Sequence, residues 1–297
     1  MYLLLIAALA PAVLLMWYVY TRDKTEKEPM LLVLRVFVLG AASGIVAGIV
    51  ESILFDMLEA SLPQGLLLIV VEYFVCVALV EELCKFFALN TVKRRPEFDY
   101  IFDAVVYSVA AALGFAALEN VFYVLDGGLE TALVRAVLSV PGHAADGVVM
   151  GVFYGIARQR ELHGKPGAGV LYFLAILLPT IEHGFYDAAL SLESDTMAMV
   201  AMLFDLAFIA LAFVLVKRMA SKDEPLHPGG ALQGLRGQIS FERGDSVPYS
   251  PSYSAPRSTL PHTQAPAAHE WTCSHCGMPA SGNFCGNCGS PKHPTSG

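Results

Sequence analysis

Seven stretches of this 297-residue sequence are each predominantly apolar for the length of a membrane crossing: about residues 2 to 20, 31 to 54, 65 to 90, 101 to 125, 132 to 157, 169 to 190 and 196 to 217. A helix rises ~1.5 Å per residue, so about 20 apolar residues cross a bilayer's hydrocarbon layer. In lipid the backbone must satisfy its own polar groups, which a helix does within one segment. The sequence therefore predicts an all-α polytopic membrane protein with about seven transmembrane helices. Composition agrees: charged residues are 15% of the chain and the mean hydropathy is +0.55, against roughly 25% charge in an average soluble protein. The first run has no basic residue ahead of it, and Arg22, Lys24 and Lys27 follow it. It reads as a retained helix rather than a signal peptide.

Sidedness follows from the loops, because Lys and Arg accumulate on the cytoplasmic side. Alternate loops carry three bases each: Arg22, Lys24 and Lys27; Lys93, Arg94 and Arg95; Arg158, Arg160 and Lys165; then Lys217, Arg218 and Lys222. The intervening loops, around Asp56 and Glu59, Asp126 and Glu130, and Glu193 and Asp195, contain acids and no base. Seven spans with the N-terminus outside and the C-terminus in the cytoplasm put every basic loop inside, in a multi-pass protein of the plasma membrane. An eight-span arrangement with one split helix is the alternative.

The net charge of −8 lies wholly in this apolar part, since from Ser221 onward five bases balance five acids. Such a balance excludes a basic nucleic-acid-binding surface, and strong phosphate binding by the neutral tail is not expected. Residues 221–270 are rich in Pro, Ser, Gly and Gln, as in SVPYSPSYSAPRSTLPHTQAP. With few aliphatic side chains to offset chain entropy, this stretch reads as a disordered linker after a membrane domain at 1–220. At 271–291 two CxxCG knuckles, Cys273 with Cys276 and Cys285 with Cys288, stand eight residues apart. Four thiolates at that spacing suit tetrahedral structural zinc, and a reducing compartment disfavours disulfides. The module resembles the small zinc ribbons of many prokaryotic proteins, with a cytosolic protein as its candidate partner. His275 reads as a bystander, and Cys76 and Cys84 as small buried apolar residues.

A charge in the bilayer costs at least ~2.5 kcal/mol, so each one asks for a partner or a function. The third run carries Glu72, Glu81, Glu82 and Lys85, the fourth Asp103, Glu119 and Asn120, the fifth Arg135, His143 and Asp146, and the sixth Glu182, His183 and Asp187. Glu81 and Lys85 are i,i+4 and share a helix face, while Glu82 points about 100° away toward another neighbour. His183 and Asp187 have the same i,i+4 spacing, which lets the carboxylate orient the imidazole. Together these helices supply carboxylates and two histidines that can activate a water. Glu72, Asp205, Arg35 and Arg135 belong to no spaced pair and read as structural, Arg135 snorkelling from a helix end.

At this point the residues resemble a family. EELCK at 81–85 matches the EExxK motif of PrsW-type intramembrane proteases, Phe115 to Glu119 matches their FxxxE, and Asn120 completes an EN pair. PGH at 141–143 and HGFYD at 183–187 look like two later histidine motifs, so the similarity covers about residues 70–190. It implies an endopeptidase of the CAAX-endopeptidase and bacteriocin-processing superfamily, acting on a membrane-anchored protein such as an anti-sigma factor.

Two chemistries stay open. Glu81, or the Glu81/Glu82 pair, is the general base for water attack, with His143 and His183 stabilising the oxyanion and Glu119 holding them. Alternatively Glu119, His143 and His183 hold a catalytic zinc, with a glutamate of the third run as base. Lys85, Asn120 and Asp187 are supporting residues in both. A proton-coupled transporter, or a non-proteolytic scaffold recruiting a partner through the zinc ribbon, are the rival functions. Residue counting also sets a difficulty of depth: Glu119 lies ~24 Å along its helix and Glu81 ~14 Å from the same surface. Pro141 and Pro179 are candidates to open the fifth and sixth helices beside the histidines.

Overall fold

A computed structural model describes residues 2–227, 270–272 and 279–281. Helices α1 (Tyr2–Arg22) and α2 (Met30–Glu59) are followed by α3 (Leu66–Val71), a π-helical turn (Glu72–Ala78) and α4 (Leu79–Asn90), which run on without a break. Then come α5 (Ile101–Val137), α6 (Ser139–Leu162), α7 (Ala168–Ser191) and α8 (Asp195–Ser221). Among the described residues, five helical runs are long and apolar enough to cross a membrane: Tyr2–Arg22, Met30–Glu59, Ile101–Leu162, Ala168–Ser191 and Asp195–Ser221. The expectation of helical, multi-pass architecture holds in that form. Fewer runs than the seven expected arise because the π-helical turn divides residues 66–90 and because α5 and α6 form one helical run of 62 residues.

That long run is not straight. Gly128 has φ 74 and ψ −156, inside what is otherwise helix. Only Gly takes such a conformation freely. Beyond it the chain turns back: a Cβ at Gly147 would lie 3.0 Å from Val109 Cα, one at Gly151 2.6 Å from Val105 Cα, and one at Gly155 2.7 Å from the Ile101 carbonyl oxygen. Rising numbers on α6 meet falling numbers on α5, so the two helices are antiparallel and touch backbone to backbone along a Gly-x-x-x-Gly-x-x-x-Gly stripe. Against α2 the order is parallel, with Gly40 on Ala111 and Gly44 against Phe115 and Leu118.

Residues 101–117 of α5 are buried on every face. A helix that is apolar all round belongs at the centre of a bundle, and the others surround this one. Their outer faces carry Leu3, Ile6, Leu31, Ile45, Phe173 and Leu203, all more than half exposed, as lipid-facing side chains are.

The packed unit extends past residue 220. The Ile101 N–H donates to the Glu224 carbonyl at 3.0 Å, the Leu226 N–H to the Asp99 carbonyl at 2.6 Å, and the Phe102 N–H to Asp223 Oδ1 at 2.9 Å. Leu226 is fully buried. The first turn of α5 leaves backbone donors without intrahelical acceptors, and this strap supplies them. The polar composition of 221–270 hid it, because one leucine and a few backbone bonds leave no periodic signal.

In the tail, Glu270–Thr272 pairs antiparallel with Pro279–Ser281, Trp271 opposite Ala280. The four cysteines of the expected zinc ribbon and the rest of the expected linker lie outside the described residues. Cys76 is buried and Cys84 partly so, both as free thiols.

Candidate active site

Glu81, Glu82 and Lys85 begin a short helix whose position depends on the π-helical turn before it. A turn of that kind inserts an extra residue per repeat and is frequent at functional sites. It packs closely on α7: a Cβ at Gly184 would lie 2.7 Å from the Phe74 ring. Glycine at 184 thus lets His183 approach α4.

The Lys85 ammonium donates to Glu82 Oε1 at 2.7 Å, to Glu81 Oε2 at 3.3 Å and to His143 Nδ1 at 3.0 Å. An ammonium only donates, so Nδ1 is an acceptor and the ring proton sits on Nε2. Nε2 in turn meets Glu119 Oε2 at 2.9 Å. His183 Nδ1 lies 3.2 Å from Glu82 Oε1, and its Nε2 lies 3.2 Å from Asp187 Oδ2 and 3.8 Å from Glu81 Oε2. The two imidazoles stand edge to face, 5.2 Å between centroids. The structure thus brings Glu81, Glu82, Lys85, Glu119, His143, His183 and Asp187 together. Both i,i+4 pairs form, Glu82 shares Lys85 with Glu81, and His143 bridges the difference in depth between α4 and Glu119.

Sequence spacing did not reveal Arg135. Its Nη2 lies 2.9 Å from Glu119 Oε2, and its Nε donates to Asn120 Oδ1 at 2.8 Å. Asn120 Nδ2 donates to the Ala8 carbonyl at 2.7 Å, which ties the same network to α1. Sixteen residues of straight helix would separate Glu119 from Arg135 by ~24 Å. The reversal at Gly128 brings them into contact. Asp205, buried on α8, is similarly drawn in, its Oδ1 2.9 Å from where a Cβ of Gly142 would stand. Pro141 sits in the first turn of α6, just past the break at Leu138 (φ −110, ψ −77), whereas α7 continues through Pro179.

These groups border a cavity of 1170 Å³ between α2, the π-helical turn and helices α5 to α8. Among the described residues, nine carboxylates face it or the network behind it: Glu51, Glu72, Glu81, Glu119, Asp146, Glu182, Asp187 and Asp205 line it, and Glu82 stands behind. Among the described residues, the permanently basic groups that meet them are Lys85 and Arg135. Buried carboxylates in such excess need protons or a metal cation. Glu82, His143, Asp146 and His183 each offer a ligand atom within 4.8 Å of the others. Glu82 Oε2 and Asp146 Oδ1 have no hydrogen-bond partner among the described residues. Two imidazoles, two carboxylates and orphaned oxygens fit a divalent metal, with the Lys85 ammonium as the cation that holds Glu82 and His143 here.

Comparison with known proteins decides the family. The family model of PrsW family intramembrane metalloproteases matches residues 28–216. The chain belongs to the PrsW protease family. It is 35% identical over 210 residues to Protease PrsW of Oceanobacillus iheyensis, covering 70% of this chain and 93% of that protein. Protease PrsW of Geobacillus kaustophilus is 36% identical over 190 residues, 63% of this chain and 79% of its own. The Bacillus subtilis Protease PrsW is 35% identical over 199 residues, 66% and 86%. No solved structure matches the chain. The PrsW match and the apolar helices together make this a multi-pass membrane peptidase, and every side chain of the polar network around the cavity lies within the matched residues.

Proposed function

We propose that the chain hydrolyses a peptide bond of a membrane-anchored protein, of the anti-sigma-factor kind, in the cavity between α2 and α7. The observation that carries this reading is the convergence of Glu81, Glu119, His143 and His183 from four helices on one cavity, with Glu82 buried behind them. That cavity is also lined by Ile45, Ile49, Phe122 and Val134, each more than half exposed on the outer surface. A wall shared by buried carboxylates and lipid-facing side chains suits a substrate that arrives from the bilayer.

In this mechanism Glu81 takes a proton from the water that attacks the peptide carbonyl. Glu82 holds Lys85 at 2.7 Å and Glu81 only at 3.3 Å, which leaves Glu81 the freer to act as base. The C–N bond then breaks as Glu81 returns the proton to the departing amine. Glu82, His143, Asp146 and His183 are the residues that would hold a divalent metal, whose chemistry is to polarise the carbonyl and acidify the water. Glu119 is then an orienting group, because His143 and Arg135 both occupy its Oε2, and Asp187 serves His183 in the same way.

The opposed directions of α5 and α6 and the continuity of residues 66–90 support seven crossings. Loop charges support an N-terminus outside and a cytoplasmic C-terminus in the plasma membrane. Cys273, Cys276, Cys285 and Cys288 would hold the structural zinc of a ribbon that recruits a cytosolic protein. Glu81→Gln and His183→Ala are expected to abolish cleavage of a co-expressed single-span substrate at unchanged membrane levels of the protein. Wild-type cleavage by both variants would overturn the mechanism.

A further inference from the structure

A second group of buried acids lies away from this cavity, where α1 ends and α2 and α5 begin. Asp23, Glu28 and Asp103 each offer a carboxylate oxygen within 4.8 Å of the other two. All three side chains are at least 97% buried, with relative exposures of 1%, 3% and 1%. Their remaining valences are unequal. Asp103 Oδ2 accepts the Tyr100 N–H at 2.6 Å and the Asp99 N–H at 3.0 Å, leaving Oδ1 without a partner. The Tyr107 hydroxyl donates to Glu28 Oε2. Neither oxygen of Asp23 has a partner among the described residues.

No salt bridge answers these acids, and Lys27 acts on Asp23 only from beyond ion-pair distance. Of the ion pairs among the described residues, none includes Asp23, Glu28 or Asp103. The nearest bases are turned elsewhere, Arg22 onto the Tyr18 ring and Lys27 onto the Tyr20 ring. At the start of α5 the Ile101 and Phe102 donors are taken by Glu224 and Asp223, and the Tyr100 and Asp99 donors reach only Asp103 Oδ2, so the helix terminus leaves Asp23 unanswered.

We infer that Asp23, Glu28 and Asp103 form a binding site for a hard divalent cation, separate from the proteolytic centre. Oxygen ligands stand roughly 2.0–2.1 Å from magnesium and 2.3–2.6 Å from calcium, so oxygens within 4.8 Å of one another can share one such ion. The ion would hold the α1–α2 turn to the start of α5, beside the strap at 223–226.

The test is equilibrium binding of calcium and, separately, magnesium to the full-length protein in detergent, alongside Glu81→Gln and the double variant Asp23→Asn, Glu28→Gln. Neutral amides relieve the repulsion, so the double variant is expected to fold, and its melting temperature without added cation verifies this. One ion per chain is expected in wild type and Glu81→Gln, with at least a tenfold loss of affinity in the double variant. A rise in melting temperature with the cation should be present in the first two and absent in the third. Absence of binding in wild type, or equal binding by wild type and the folded double variant, would overturn the inference and mark the acids as a proton-sharing cluster. Binding lost on Glu81→Gln but kept by the double variant would assign the ion to the proteolytic centre, and would equally overturn it.

Discussion

Arg135 shows how a residue without a sequence partner becomes part of a site. Its guanidinium holds both Glu119 and Asn120, and Glu119 in turn fixes His143. Removing an orienting group of this kind typically costs about 10–100-fold in activity or metal affinity. Arg135→Ala is expected to lower cleavage by about that factor, with Arg135→Lys recovering part of it, as measured on a single-span substrate. An unchanged rate in Arg135→Ala would make the contact structural only. Spacing within one helix was enough to read Glu81 with Lys85 and His183 with Asp187, because three or four residues return a helix to the same face. The same rule explains Glu82: at i,i+3 from Lys85 it also reaches the ammonium. Arg135 and Asp205 were illegible because their contacts depend on how helices turn and pack, which no local spacing records.

At the scale of elements, the α5–α6 pairing rests on close backbone contact at glycines. Gly147, Gly151 and Gly155 let α6 lie against the α5 backbone, and α6 carries His143 while α5 carries Glu119. Gly151→Val puts a branched side chain where even a Cβ would be 2.6 Å from Val105 Cα. Overpacking of this sort costs roughly 1–3 kcal/mol, so the variant is expected to melt at lower temperature in detergent. It should also lose cleavage at temperatures where it stays folded, because the two side chains would separate. Gly48, where a Cβ would meet nothing within 4 Å, is the matched control, and Gly48→Ala is expected to behave as wild type. The helical, multi-pass character and the approximate bounds of α1, α2, α7 and α8 were readable from hydropathy alone, whereas the count of seven runs was not reproduced. The π-helical turn, the reversal at Gly128 and the docked strap were not, since each is set by tertiary contacts around one or two residues.

For the whole molecule, the acid excess noted in the composition has a location. It is gathered at the cavity and at the Asp23, Glu28 and Asp103 cluster, and metal content is the measurement that reads it. Zinc analysis of purified full-length protein is expected to give two ions per chain. It should fall to one in His183→Ala and to one in the double variant Cys273→Ser, Cys276→Ser. Two ions retained in His183→Ala would remove the metal from the membrane site and leave the glutamate mechanism. The strap gives a further expectation: Leu226→Asp should expose the segment after α8 to protease and speed its cleavage in detergent, while leaving α1 to α8 folded.

The contributing side chains also come in a telling order along the polypeptide. The EExxK helix is made first, Glu119 next, Arg135 and His143 after the reversal, and His183 last. Synthesis runs from the N-terminus at about 5–20 residues per second, so for several seconds the growing chain holds acids in the bilayer without the histidines that complete the centre. If these side chains form the proposed centre, a nascent chain that has not yet inserted α7 is expected to be inert, and biogenesis itself delays proteolytic competence until that helix has entered the membrane.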